Sequence, residues 1–346
     1  MAAVYPGAGN VFIPDHDATN KMVVDFARNI KKFAVNRYTQ VVPVTKVAGY
    51  YLQMTVEEAG RIVDTELNNF EWPDGDPAPE GNEGTESHNF LPYRAKRRAF
   101  PVLLGDLTIE QATWNILAQH TSIKSRQAMS ARTQLAINLL TNTANYDTGH
   151  YSAVSAISGN TGNWSQSTTA RQDIKRSFQT AAEKILDDTL AGVELDDLIV
   201  VISSGLAAKI SQTQEIVDLI KGSPDALAEI RGELPGENVM YGLPGKLYGF
   251  PIVVEKTRKV TTLKGATKSI SPVLSDSTSF MVARPGGLVG VADAPNFSTA
   301  CCFALEEMTV ETLRDAPNRR TLARVVENLV YAMTAPSSGY LFTSCA

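Results

Sequence analysis

The segment from residue 57 to residue 107 constrains this chain most, because it is too long and too polar for an ordinary loop. Its central part, EWPDGDPAPEGNEGTE at residues 71–86, has six carboxylates, several Pro and Gly, and no Lys or Arg. Such a stretch has too little apolar surface to offset the entropy lost on ordering. A loop of this length in a compact domain is either disordered or functional. We therefore expect an excursion that a neighbouring copy of the chain holds in place.

A basic group follows the acidic stretch, with four cationic residues within five positions. The charged residues that we predict to make contacts between subunits are Glu71, Asp74, Asp76, Glu80, Glu83, Glu86, Arg94, Lys96, Arg97 and Arg98. One interpretation of the basic group is a solvated face. The other is an ion-pairing surface that accepts the acidic segment of a neighbour. Exposed ion pairs contribute only about 0 to 1 kcal/mol each, which suits an assembly that must anneal without trapping errors.

The composition is that of a folded protein with a large core. The chain has 346 residues, of which 43% are hydrophobic and 20% charged. At roughly 100 to 200 residues per domain, this length predicts two domains, or one domain with excursions. The net charge of -5 argues against a broad basic surface that wraps nucleic acid. Few cysteines, no secretion signal and no membrane-spanning apolar run predict a soluble cytosolic protein without a membrane partner.

Hydrophobic periodicity predicts a protein with both helices and strands. A long helix is expected over 108–142, with Asp106 or Thr108 as its N-cap. The Gly- and Ser-rich stretch at 142–169 is the expected boundary between two domains, and a second helix is expected to begin near Thr169. The apolar run within 196–204 is typical of a buried strand. The segment RRTLARVVENLVYAMTAP is ambiguous between helix and strand.

The sequence has few of the residue patterns that carry catalysis. No zinc-binding, nucleotide-binding or nucleophile-elbow motif occurs. We expect His120 to be a packing residue, and His16, His88 and His150 to lie in loops. Cys301 and Cys302 are expected to be buried and unreactive, and the carboxylates of Asp187 and Asp188 to be solvated. We therefore predict no catalytic residue, no metal and no cofactor.

The order of these elements resembles that of major capsid proteins of tailed bacteriophages with the HK97-type fold. Three stretches carry the resemblance: RAFPVLLGDLTIEQA, LDDLIVVISSGLAAKI and KLYGFPIVVEKT. The resemblance implies an α+β fold with an N-terminal arm, a β-hairpin excursion called the E-loop, a long spine helix, a peripheral domain and an axial α/β domain. The implied boundaries are 1–36 for the arm, 37–56 for peripheral-domain strands, 57–107 for the E-loop, 108–194 for the spine helix and peripheral domain, 195–295 for the axial domain and 296–346 for the return strands and C-terminus.

The resemblance also implies a structural function rather than an enzymatic one. Many copies would assemble through pentamers and hexamers into an icosahedral shell, built in the host cytoplasm as the virion capsid. The shell would enclose double-stranded DNA through weak non-specific contacts, with separate scaffolding, portal and decoration proteins as further partners. Two alternatives are an encapsulin-like nanocompartment and a soluble α/β enzyme. Some family members cross-link an E-loop lysine to a neighbour, but we do not expect this of Lys96.

Overall fold

The computed structural model describes residues 33–54, 74, 88–112, 114–233, 238–263, 265–284 and 298–346. Its helices are α1 (Val35–Tyr38), α2 (Asp106–Gln111), α3 (Ile116–Leu140), α4 (Asp173–Asp188), α5 (Ser204–Ile210), α6 (Gln214–Gly222) and α7 (Pro224–Arg231). Its strands are β1 (Gln40–Pro43), β2 (Ala48–Met54), β3 (His88–Arg94), β4 (Lys96–Gly105), β5 (Tyr151–Ala153), β6 (Leu198–Ser203), β7 (Lys246–Leu247), β8 (Phe250–Glu255), β9 (Arg258–Val260), β10 (Ile270–Pro272), β11 (Thr278–Ala283), β12 (Ala300–Asp315), β13 (Arg320–Met333) and β14 (Gly339–Thr343). The prediction of a mixed helix and strand protein is therefore confirmed.

A six-stranded sheet in the order β5-β14-β11-β6-β8-β7 forms the larger core. Strands β6 and β8 are parallel and almost entirely apolar, which is the pattern of strands that are covered on both faces. On one face, α4 buries Ile174, Phe178 and Ile185 against the sheet, and Trp164 packs edge-on against Phe178. The predicted buried strand within 196–204 is therefore confirmed and lies inside this sheet.

The 25-residue helix α3 packs against both large sheets. Its C-terminal half buries Ile137 and Leu140 in a cluster with Phe280 of the six-stranded sheet. Its middle contacts the second sheet through Arg132, whose Nε atom lies 2.7 Å from Oε2 of Glu327 on β13. Both of these charged side chains are buried, so the ion pair fixes how the helix lies on that sheet.

The second sheet has four strands in the order β1-β12-β13-β4 and is dominated by two long strands. Strand β12 has 16 residues and β13 has 14, and they pair antiparallel with register shifts between Ala304 and Thr309. The ambiguous segment near the C-terminus is therefore a strand. Buried Ala323 and Val325 alternate with exposed Arg324, as in a half-covered strand, whereas every residue from Val325 to Leu329 is buried, so the strand is covered on both faces there.

Strands β2 and β3 form a separate antiparallel hairpin, in which Ala48 pairs with Arg94 and Met54 with His88. The excursion therefore starts before residue 57, because β2 is its first leg. The segment RRAFPVLLGDLT predicts an extended return strand over 97–108; the strand exists as β4, but it ends at Gly105 because α2 begins at Asp106. However, β4 pairs with β13 in the four-stranded sheet and not with the hairpin.

The helix predicted over 108–142 is divided into α2 and α3. The side-chain oxygen of Asn115 accepts a hydrogen bond from the backbone N–H of Ala118 at 3.0 Å. Asn115 is thus the N-cap of α3 and starts a new helix. Neither predicted N-cap is right, because Asp106 is already the first helical residue and Thr108 lies inside α2. The N-cap position is held by Gly105, which has no side chain to cap the helix.

Two further expectations need correction. The second helix, α4, begins at Asp173 rather than near Thr169, whose hydroxyl donates instead to Asp218 on α6. The six-stranded sheet includes β5 and β14, which lie outside the range 195–295 predicted for the axial domain, and α4 packs on the same sheet. The division into domains otherwise stays a prediction, and most of the predicted arm at 1–36 lies outside the described residues.

Candidate assembly surface

The basic group of the predicted contact surface does not form one patch. Its members are Arg94, Lys96, Arg97 and Arg98. The last three begin β4, where successive side chains point to opposite faces of the sheet. Nη2 of Arg97 lies 3.4 Å from Oε1 of Glu311 on β12, and Nη1 of Arg98 donates to the carbonyl of Leu329 at 3.4 Å. Two of the four cations therefore have partners among the described residues.

The acidic half of the predicted surface lies almost entirely outside the described residues. The undescribed members are Glu71, Asp76, Glu80, Glu83 and Glu86. Asp74 is described, and it is an exposed residue in a turn. The pairing of this segment with a neighbouring copy stays a prediction.

The β2–β3 hairpin presents large aromatic side chains to solvent. Tyr50 is 71% exposed and Phe90 is 63% exposed. On the opposite face of the hairpin, Tyr51 and Tyr93 pack on Phe303 of β12, with ring centroids 5.5 and 4.7 Å apart. One face of the hairpin is thus anchored to the four-stranded sheet, and the other is an apolar surface of the kind that protein partners cover.

A second apolar surface lies at the far end of the four-stranded sheet. Leu313, Leu322 and Leu103 lie directly opposite one another on β12, β13 and β4, on the face that α3 does not cover. Leu313 is 64% exposed and Leu103 is 50% exposed. The ion pair between Arg324 and Glu311 borders this row. An apolar row with a charged border is typical of a contact surface between proteins.

His150 is buried in a polar cluster that sequence reasoning missed. Its Nδ1 atom lies 2.9 Å from the carbonyl oxygen of Gly339, and its Nε2 atom lies 2.6 Å from Oδ2 of Asp188. The Lys184 ammonium donates to the same carboxylate at 2.9 Å. Partial burial opposes ionisation of Asp188, but the hydrogen bonds from Lys184 and His150 outweigh it, so the pKa of the carboxyl is lowered. Asp188 is therefore not a freely solvated carboxylate, and the cluster joins the end of α4 to the start of β14.

The β9–β10 hairpin is a second feature that sequence reasoning missed. Between Glu255 and Asp276 the chain has five Lys or Arg residues and no Asp or Glu. This stretch, which has cations and no carboxylate, is the sequence signal that could have identified the hairpin. The negative net charge of the whole chain does not reveal it, because the net charge does not show where along the sequence the cations lie.

The described part of the chain offers little for catalysis. It contains no group of three or more His, Cys, Asp and Glu side chains that could hold a metal ion. Burial raises the pKa of the Cys301 thiol and raises that of Cys302 to about 12, so neither is a thiolate near neutral pH. The prediction that these two cysteines are buried is confirmed. Among the described helices, none is long and apolar enough to cross a membrane.

Comparisons of sequence find neither a matching family model nor a matching curated protein. Comparison with solved structures finds similar folds over most of the chain. A phage-related protein from Bordetella bronchiseptica RB50 is 17% identical with a TM-score of 0.59, over 91% of this chain and 93% of that chain. The mature capsid of bacteriophage PhiM1 is 11% identical with a TM-score of 0.53, over 96% of this chain and 91% of that chain. A virus-like particle from Pyrococcus furiosus is 8% identical with a TM-score of 0.50, over 90% of this chain and 92% of that chain.

At these identities the similarity is one of fold. Because the matches cover nine-tenths of the chain, the shared fold includes both sheets and the long helix between them. The fold class predicted from the sequence is thereby confirmed: this chain has the α+β, HK97-like capsid fold.

Proposed function

We propose that this chain is a major capsid protein that assembles through pentamers and hexamers into an icosahedral shell enclosing double-stranded DNA. The HK97-like fold over nine-tenths of the chain is the observation that carries this proposal, since the mature capsid of PhiM1 has the same fold. The exposed aromatic face of the β2–β3 hairpin and the leucine row on the four-stranded sheet support it, because both are surfaces that a partner would cover. The proposed location is the virion capsid, assembled in the host cytoplasm.

A structural role also accounts for the chemistry of the described residues. The buried thiols are protonated, and the carboxylate of Asp188 is occupied by Lys184 and His150. We therefore propose that the protein is not an enzyme and needs no cofactor. The packaged DNA would make weak contacts, because a chain of net charge -5 binds phosphates poorly. Separate scaffolding, portal and decoration proteins complete the proposed set of partners.

A second candidate is a shell that encloses protein cargo, like an encapsulin nanocompartment. The similarity to a virus-like particle from Pyrococcus furiosus, over 90% of this chain, supports this candidate, because that particle has a similar fold. The two candidates share a fold and a large closed particle, and they differ in what the particle contains.

Electron microscopy of the purified full chain tests the proposal, with the ratio of absorbance at 260 and 280 nm taken on the same fraction. Closed shells, tubes or capsomer rings are expected. A high absorbance ratio in closed shells would indicate packaged nucleic acid, and a low ratio with co-purifying protein would favour the cargo shell. A small, uniform oligomer that persists at high protein concentration would contradict assembly of the chain by itself, and would leave a scaffold-dependent capsid protein and a soluble enzyme as the two remaining functions.

A further inference from the structure

We propose that the β9–β10 hairpin of one copy binds the acidic segment at residues 71–86 of a second copy. The inference rests on the proposed function and deepens it, because it names one contact that would hold neighbouring subunits together. It follows from the shape and charge of the hairpin and from the composition of the acidic segment.

The hairpin stands apart from both large sheets. Val260 pairs with Ile270 and Arg258 with Pro272, and among the described residues these two strands pair with no third strand. Nearly every residue from Arg258 to Ile270 that the structure describes is exposed. A two-stranded hairpin is only marginally stable by itself, so a ribbon this exposed gains stability from a partner.

The cations of this hairpin are not neutralised by carboxylates within the described chain. The described cations are Lys256, Arg258, Lys259 and Lys268. Lys256 lies 5.4 Å from the centre of the Tyr241 ring, Arg258 donates to the hydroxyl of Ser204, and Lys259 donates to the side-chain oxygen of Gln134. These partners are all neutral.

The two acidic residues that flank the hairpin in sequence, Glu255 and Asp276, bind other groups and do not pair with its cations in the described structure. Glu255 is buried and accepts hydrogen bonds from the hydroxyl of Tyr38 and the backbone N–H of Thr257. Oδ1 of Asp276 accepts a hydrogen bond from the hydroxyl of Ser203 at 2.6 Å. Oδ2 of Asp276 lies 3.5 Å from the ammonium of Lys209. Within the described part of the chain, no carboxylate pairs with the cations of the hairpin, and this positive charge suits an anionic partner.

The hairpin also presents apolar side chains, and this favours a protein partner over a nucleic acid. Val260 and Ile270 lie opposite each other on one face of the ribbon, and both are more than half exposed. Leu263 in the connecting turn is 86% exposed. A phosphate backbone would neutralise the cations but would leave these side chains in water. An acidic peptide with an aromatic or apolar anchor would neutralise the cations and also cover the apolar side chains.

Residues 71–86 have this composition. The segment carries six carboxylates and no cation, and it contains Trp72 together with three prolines. Tryptophan is a frequent anchor in protein contacts, and prolines reduce the entropy lost when an extended segment binds. The length of the segment, at about 3.3 Å per extended residue, exceeds that of the hairpin that it would cross.

The hairpin is a better partner for this segment than the basic group that the sequence first suggests. Arg97 already lies against Glu311, and Arg98 donates to the carbonyl of Leu329. The alternation of β4 also places Arg97 and Arg98 on opposite faces, so a peptide that lies on one face of the sheet cannot contact both.

Binding of a fluorescently labelled peptide with the sequence of residues 71–86 tests the contact. The host is the full chain with Glu80→Lys and Glu83→Lys, because its own segment, reduced from six negative charges to a net charge of -2, then competes less for the hairpin. We expect binding that weakens as salt is raised, and a loss of about tenfold in affinity when Lys259→Glu and Lys268→Glu are added. A matched control adds Lys46→Glu and Lys246→Glu, which change the net charge equally. Both control lysines are exposed, and Lys246 lies at the opposite end of β8 from the hairpin.

Three outcomes overturn the proposal. The peptide does not bind, or it binds the hairpin variant and the control equally. Alternatively, a short random-sequence DNA duplex binds through the same two lysines while the peptide does not, which would make the hairpin a nucleic-acid contact. Circular dichroism confirms that each variant is folded, and Lys259→Gln with Lys268→Gln repeats the test if the charge-reversed hairpin does not fold.

Mixing two chains with altered charge shows whether the contact joins different copies. One chain carries Lys259→Glu and Lys268→Glu, and the other carries Glu80→Lys and Glu83→Lys. Each is expected to assemble less completely alone at low salt, whereas the mixture brings an unaltered acidic segment onto an unaltered hairpin only between chains and is expected to recover particles. Recovery only when all four substitutions lie in the same chain, and not in the mixture, would overturn the contact between copies. Failure of the peptide test with normal particles from the hairpin variant would refute this contact and leave the proposed capsid function intact.

Discussion

Gly205 lies in the first turn of α5, directly beside the carboxylate of Asp276. A Cβ atom at this position would overlap both carboxylate oxygens, which the hydroxyl of Ser203 and the ammonium of Lys209 hold in place. Gly205→Ala is therefore expected to lower the free energy of unfolding by about 1–3 kcal/mol, measured by urea denaturation. Gly222→Ala is the control, because no atom lies within 4 Å of its Cβ position. Equal losses in the two variants would contradict this explanation.

The pKa of Asp188 leads to a prediction on how stability depends on pH. Partial burial raises this pKa, but the hydrogen bonds from Lys184 and His150 lower it by a larger amount, so the pKa lies below its ordinary value of 3.8. Because the folded state favours the ionised carboxylate, the stabilisation is fully present above the unfolded pKa and is lost as the pH falls through the folded pKa. Asp188→Asn is expected to lower the free energy of unfolding by about 1 kcal/mol near neutral pH.

Thermal unfolding between neutral and acidic pH checks this prediction. The difference between the original protein and Asp188→Asn is expected to shrink as the pH falls below 3.8. Asp187→Asn is a neighbouring control, since Asp187 is exposed and forms no ion pair among the described residues. A difference that grows on acidification would contradict the sign of the effect.

At the scale of elements, the buried ion pair between Arg132 on α3 and Glu327 on β13 joins the long helix to the four-stranded sheet. Arg132→Met would leave a buried carboxylate without its partner, and is expected to lower the free energy of unfolding by about 3–5 kcal/mol. Replacing Glu327 by Leu in the same chain removes both charges and is expected to restore part of the loss. Denaturant unfolding of the three proteins checks this. A double variant less stable than Arg132→Met would show that the ion pair is not the cause.

The same scale shows which elements the sequence could predict. Strand β6 was predictable because its apolar run is short and uninterrupted, and β8 because its β-branched residues follow a turn. The break between α2 and α3 was not predictable from periodicity, since Ile109 and Ile116 keep the helical spacing across it. The break depends on the side chain of Asn115, which competes with the helical backbone. Strand β13 stayed ambiguous because its apolar residues fit either period, and because one of its two partner strands, β4, lies more than 200 residues earlier in the sequence.

At the scale of the whole molecule, the order of the elements predicted the fold, but only part of the candidate surface. The run of cations at 94–98 was visible, yet its division between two faces depends on the strand that contains it. The row formed by Leu103, Leu313 and Leu322 depends on the register of three strands, which no local pattern specifies. His150 gave no signal either, because its partners Asp188 and Gly339 belong to distant elements.

Deletion of residues 71–86 tests the relation between the excursion and assembly. The subunit is expected to stay folded, because β2 and β3 pair through residues outside the deletion and Tyr93 still packs on Phe303. Closed shells are not expected, because the proposed partner of the deleted segment is another copy. Circular dichroism and thermal unfolding measure the fold, and electron microscopy measures assembly.

A variant of unchanged length separates the role of charge from that of chain length. Replacing the six carboxylates of 71–86 by their amides keeps Trp72 and the prolines but removes the attraction to the β9–β10 hairpin. We expect this variant to assemble less completely than the original chain at low salt, and the difference to narrow at high salt, where screening already weakens the attraction. Normal shells from the deleted chain would refute an intersubunit role for the segment. Normal shells from the amide variant alone would mean that its length and apolar residues, rather than its charge, hold the neighbouring copy.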